Sequence, residues 1–191
     1  MAQPHSLSFR SRLRMSDFWV FGYGSLMWRP GFDHAEAMPA HLHGYHRALC
    51  VYSWVHRGTR ERPGLVLGLD HGGACRGTAY RVESRHRDDV IAYLRKRELV
   101  TNVYREAWLP IRIGPAQRRV FALAYVTDRR HEQYAGALPR ADLLAHVRDG
   151  RGQAGANTEY VINTVRHLRE LGIKDATLEW LTDELTVGPP T

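Results

Sequence analysis

A lone carboxylate and a glycine-rich turn are the two features of this chain that could do chemistry together. The carboxylate is Glu98. Ile91 and Leu94 stand three apart and Glu98 follows Leu94 by four, so helical periodicity sets the acid on the apolar stripe of its helix, near the helix end. Carboxylates are seldom buried unless they are paired or functional. Desolvation raises such an acid's pKa, which suits proton transfer near neutral pH. Two plainer readings stay open at this level: an ion pair with one of the many arginines, or a frayed helix end that leaves Glu98 in water.

The turn is Tyr23-Gly24-Ser25-Leu26. It follows Phe18–Gly22, five residues that read as a buried strand. A glycine-rich turn leaving a core strand can offer several backbone N–H groups to an anion. Other uses of the same residues fail on spacing. Gly22-x-Gly24 lacks the third glycine of a dinucleotide fingerprint, where Met27 stands, and no βαβ unit follows. A serine-nucleophile elbow around Ser25 needs glycine at 23 and 27, which are Tyr and Met. No G-x-x-x-x-G-K-[ST] loop exists. His41, His43 and His46 have no acidic ligand nearby and read as surface residues. What remains is an anion cradle and one semi-buried acid, with no metal and no cofactor motif. That combination fits a substrate that supplies its own nucleophile.

The elements that must position these groups are legible in outline. Period-2 and apolar runs mark strands at Phe18–Gly22, Arg47–Trp54, Gly64–Leu69, Cys75–Val82, Tyr104–Ile113 and Arg119–Thr127. Turns fall at Gly58–Gly64, Asp70–Gly73 and Gly114–Pro115. Helical patterns cover Arg87–Arg97, Arg140–Asp149, Asn157–Leu171 and Ala176–Leu185. Strands first and helices last predict an α+β fold with a closed or strongly curved sheet. On the third helix Val161, Val165 and Leu168 share a face; Tyr160 lies beside that stripe and reads equally as core, while Asn157 reads as a helix N-cap.

Bulk properties bound the rest. At 191 residues, 43% hydrophobic and 25% charged, the chain suits one soluble globular domain, with residues 17–191 forming it. Residues 1–16, with Arg10, Arg12 and Arg14 and no acid, read as a disordered tail, and Met15 offers an alternative start. The net charge of +7 is spread along the chain and accompanies no nucleic-acid motif. No apolar run is long enough for a membrane span. Cys50 and Cys75 lie in separate apolar runs and read as buried thiols in a reducing cytoplasm. Oligomeric state is left open.

Four blocks carry a family resemblance: Val20-Phe-Gly-Tyr-Gly-Ser-Leu-Met-Trp28 with Pro30 and Phe32; His56-Arg-Gly-Thr59 with Pro63-Gly64; Gly77-x-Ala79-Tyr80-Arg81 followed by Tyr93-Leu94-x-x-Arg97-Glu98; and Asn157-Thr-Glu-Tyr160. In these blocks the chain resembles the ChaC-type, glutathione-specific γ-glutamylcyclotransferases, in the style of the bacterial branch. The resemblance implies a small mixed β-barrel with flanking helices. It implies a cofactor-independent cytoplasmic lyase that cleaves glutathione to 5-oxoproline and cysteinylglycine. It assigns the γ-glutamyl end to Tyr23, Gly24, Ser25 and Leu26 and the acid/base role to Glu98. Tyr160 enters the substrate site through the fourth block. Of the arginines that could pair with a substrate carboxylate, namely Arg47, Arg57 and Arg97, the second block favours Arg57. Val55 stands where family members often carry Asp, and Leu99-Val-Thr-Asn102 replaces the Lys-Gly-Gly-Tyr of many eukaryotic members. Alternatives on the same fold are cyclotransfer on other γ-glutamyl-amines or dipeptides, and a non-catalytic γ-glutamyl or amino-acid sensor.

Overall fold

The computed structural model describes residues 16–186. The expected tail, apart from Ser16, lies outside the described residues. The first strand, β1 (Phe18–Gly22), has the predicted bounds, and all five of its residues are buried. Its unbroken apolar run follows from burial on both faces. Trp19 and Phe21 join a core inside the barrel with Leu42 and Leu65, while Phe18 and Val20 join a second core with Val82, Val90, Leu94 and Leu123. That second core seats the first helix, α1 (Arg87–Glu98). Leu94 is fully buried in it, and Glu98 comes one turn later at the helix end.

The barrel is completed by β2 (Glu36–Ser53), β3 (Gly64–Val82), β4 (Tyr104–Ile113) and β5 (Arg118–Thr127). Strand order is β1-β3-β2-β4-β5, and β5 returns to β1. The β1–β5 seam is parallel, with Trp19 opposite Ala122; every other pair is antiparallel. The small mixed barrel implied by the resemblance is therefore present. Three helices follow: α2 (Arg140–Asp149), α3 (Asn157–Glu170) and α4 (Ala176–Thr186). A short hairpin, β6 (Arg151–Gly152) with β7 (Gly155–Ala156), leads into α3.

Two sequence expectations need correction. Gly64–Leu69 and Cys75–Val82 are not separate strands but parts of the 19-residue β3. The glycines between them do adopt positive φ, at Gly72 and Gly73, yet Gly44 on β2 does the same opposite them, so both strands bend together without parting. Strand β2 also begins at Glu36, eleven residues before the predicted Arg47. Ala40 and Leu42 point into the core there, but the intervening histidines and Pro39 dilute the alternation.

A third correction concerns Asn157. Ala156, not Asn157, occupies the N-cap position of α3, and no side chain caps that helix start. Strand β3 meets β1 only over residues 78–82, so residues 64–67 have no strand on that side. The Asn157 side chain fills that gap. Its Oδ1 accepts from Leu65 N at 2.6 Å and its Nδ2 donates to Leu65 O at 2.8 Å. The amide mimics one residue of a missing strand and is fully buried. Asn157→Asp keeps the shape but cannot donate to Leu65 O. Urea melts are expected to show a loss of about 3 kcal/mol in unfolding free energy, and a loss below about 0.5 kcal/mol would mean the edge does not depend on this amide.

Candidate active site

The turn after β1 is held from three sides. Leu26 and Met27 are buried, and residues Ser25–Met27 form one turn of 3-10 helix. Tyr80 Oη donates to Met27 O at 2.6 Å. Arg47 Nε donates to Tyr23 O at 2.5 Å, and its Nη2 donates to Arg76 O at 2.6 Å. In a trans peptide the N–H points opposite to the C=O. Fixing the Tyr23 carbonyl toward Arg47 therefore turns the Gly24 N–H the other way. The Arg47 side chain is only 5% exposed, with Asp175 at 3.8 Å. Arg47 is thus a brace inside the fold and does not line the main cavity.

That cavity, of about 430 Å³, opens between the turn, the end of α1, the Ser53–Arg57 loop and α3. Tyr23, Gly24, Ser25, Leu26, Arg57, Glu98 and Tyr160, the residues expected at the site, all line it. Arg57 Nη1 donates to Ala156 O at 3.2 Å, and its guanidinium lies 5.4 Å from the Tyr160 ring centre. Arg97 also lines the cavity but is occupied. Its Nη2 donates to Ser25 Oγ at 2.9 Å, its Nη1 to Arg29 O at 2.5 Å and to Tyr93 Oη at 3.0 Å. It thereby ties the end of α1 to the turn.

Glu98 is 18% exposed, and Arg97 Nε stands 3.1 Å from its Oε1. The plain ion-pair reading is therefore part of the picture. It does not neutralise the effect of burial, which still holds the Glu98 carboxyl above the usual carboxylate range against the pull of Arg97. Buried phenols surround the acid. Tyr23, Tyr104 and Tyr160 are all pushed up by burial, Tyr160 to about 12, with Glu98's charge adding in the same direction.

Sequence reasoning missed Tyr104 and Gln133, which line the cavity too. Tyr104 opens a correctly predicted strand, so its place was legible but its role was not. Its hydroxyl donates to Leu67 O at 2.7 Å, while Tyr160 Oη accepts from Leu67 N at 3.1 Å. Trp28 and His167 stack at 4.6 Å and wall one side. Among the described residues no helix is long and apolar enough to cross a membrane, and Cys50 and Cys75 are buried free thiols.

Residues 18–187 match the family model described as ChaC-like protein. The chain belongs to the ChaC-like protein family. Among its relatives, the glutathione-specific gamma-glutamylcyclotransferase of Escherichia coli is 35% identical over 158 residues, spanning 82% of this chain and 68% of that protein. The human glutathione-specific gamma-glutamylcyclotransferase 1 is 33% identical over 158 residues, spanning 81% and 71%. A crystal structure of the yeast γ-glutamyl cyclotransferase specific to glutathione superposes with a TM-score of 0.79 at 21% identity, covering 88% of this chain and 95% of that one. At that identity the superposition speaks for the fold.

In this ChaC-like chain the raised pKa of Glu98 has a stability consequence. The folded protein holds the Glu98 proton more tightly than the unfolded chain does. Stability is therefore lost as pH rises from the unfolded value through the folded one. Glu98→Gln removes that loss. Thermal melts are expected to show a higher Tm for the variant than for wild type at pH 8 and little difference at pH 4; equal values at pH 8 would mean Glu98 is not desolvated.

Proposed function

We propose that this chain is a γ-glutamylcyclotransferase that converts glutathione to 5-oxoproline and cysteinylglycine. The observation that carries the reading is a desolvated carboxylate, Glu98, facing the same cavity as the Tyr23–Leu26 turn. The named activity of the E. coli and human relatives supports the same substrate.

The α-amine of the substrate is protonated in water and cannot attack. Glu98, as carboxylate, takes one proton. The freed nitrogen closes a five-membered ring on the γ-carbonyl carbon, and a tetrahedral oxyanion forms. The ring nitrogen sheds a second proton, the C–N bond to cysteine breaks, and the leaving nitrogen ends with two protons gained. Two protons leave one nitrogen and two reach the other, so the reaction consumes no water. Tethered groups react with effective molarities on the order of 10⁵ M or more. The site's work is thus to hold one folded conformer and relay protons. In this reading the N–H groups of the 23–26 turn hold oxygens of the γ-glutamyl end, and Arg57, beside Tyr160, takes a substrate carboxylate. The reaction belongs to a reducing cytoplasm, where Cys50 and Cys75 stay thiols.

Incubation with glutathione and with γ-Glu-Ala, following 5-oxoproline by chromatography, tests the reading. Turnover of glutathione in preference to γ-Glu-Ala is expected, and Glu98→Gln should lower kcat by at least about 100-fold. Turnover of neither compound would favour a sensor on the same fold. The acid limb of the wild-type kcat/KM profile should lie above the ordinary glutamate range of about 4.3, because the base works only when ionised; a limb at or below that value would remove Glu98 from the base role.

A further inference from the structure

Leu67 stands where β3 has run past the end of β1, and two tyrosine hydroxyls take the place of a neighbouring strand. The Leu67 N–H can only donate, and it lies 3.1 Å from Tyr160 Oη. The Leu67 carbonyl can only accept, and it lies 2.7 Å from Tyr104 Oη. These two bonds fix where both hydroxyl protons go. Tyr160 accepts from Leu67, so its own O–H hydrogen is left to give. Tyr104 gives its hydrogen to Leu67, so only its lone pairs are left to use. Both hydroxyl-bearing side chains line the cavity together with Glu98.

We propose that the Leu67 peptide groups split the substrate's α-amino and anionic oxygens between the two tyrosines. Tyr104 accepts an N–H of the α-ammonium group beside Glu98, and Tyr160 donates to an anionic oxygen of the γ-glutamyl end. The proposal rests on the γ-glutamylcyclotransferase reading of the site. Burial keeps both phenols protonated at neutral pH, so neither can exchange roles by ionising. Reversing the polarity would require Leu67 to donate from a carbonyl or accept at an N–H. With Tyr104 holding one ammonium hydrogen, a second is free to face Glu98, and the nitrogen is kept near the base that must deprotonate it. Tyr104 then belongs to ground-state binding as well as to catalysis, whereas the Tyr160 proton follows the negative charge.

The test is calorimetric titration of the Glu98→Gln protein, which holds substrate without turnover. Two ligands are compared: glutathione and its desamino analogue, glutaryl-cysteinylglycine, which keeps the chain and the glycine carboxylate but lacks the α-ammonium. Adding Tyr104→Phe should weaken glutathione by about tenfold or more and change the analogue by less than about threefold. Adding Tyr160→Phe should weaken the ligands that present anionic or carbonyl oxygens, both of them, by similar factors. A merely structural role for Tyr104 would weaken the two ligands alike, and that result overturns the proposal, as does an unchanged affinity for glutathione. Thermal melts of each variant identify any that fail to fold, and for Tyr104 a milder Tyr104→His variant, which restores an acceptor, should then recover part of the selectivity for the amine. Wild-type protein that releases no 5-oxoproline overturns the function while leaving these titrations readable; a folded Glu98→Gln protein that binds neither ligand, beside a wild type that turns glutathione over, overturns the proposal alone.

Discussion

Buried peptide groups must find partners, and at one edge of β3 in this barrel another strand does not supply them. Between Gly64 and Leu67, β3 has outrun β1, and its outer N–H and C=O groups would be left without hydrogen bonds at a cost of roughly 1–3 kcal/mol each. Side chains from elsewhere supply those bonds: Asn157 for Leu65, Tyr104 and Tyr160 for Leu67. The same need that completes the sheet therefore draws β4 and α3 to one place, beside the turn that leaves β1. The cavity is what is left where the ladder stops and side chains take over from strands.

Electrostatics within that cavity are governed by which arginines are already committed. Arg47 and Arg97 look alike in sequence as candidates for a substrate carboxylate, yet each is engaged with main-chain carbonyls. Arg97 stands next to Glu98 but divides its hydrogens among the turn, the Arg29 carbonyl and Tyr93. Its Nε still faces Glu98, but desolvation outweighs that attraction, so the acid keeps a raised pKa despite a cation at its side. Arg57, by contrast, makes a single long bond to Ala156 O and lies over the Tyr160 ring, which leaves most of its donors for an incoming anion.

Local signals in the chain carried β1, β4 and α2 to their true bounds, because each is set by an apolar run or a periodicity that its own residues display. Glu98 was legible for the same reason: Leu94 and Glu98 share a face whatever surrounds them. The union of Gly64–Leu69 with Cys75–Val82 was not, since glycines at 72 and 73 look like a turn unless one knows that Gly44 bends beside them. Asn157 and Tyr104 escaped for a related reason. Their roles depend on where β3 stops pairing, a property of register between distant segments that no window of sequence contains. Arg57 came from a family block, and without that block nothing in its neighbours would have separated it from Arg47.

The parallel seam between β1 and β5 bears on how the site comes into being. Strand β1 pairs first with residues 78–82, and its other edge waits for Ala122 and Leu123, roughly a hundred residues later in the chain. The glycine turn sits at the end of β1, while Tyr160 belongs to α3. During synthesis from the N-terminus the turn emerges first and its companions last. A chain stalled before β5 holds an unclosed sheet with one of its most apolar strands at the rim, which is a surface for aggregation rather than for chemistry. The cavity draws on the turn after β1, the end of α1, the start of β4 and α3, so the segments that build the site are spread over about 140 residues of chain.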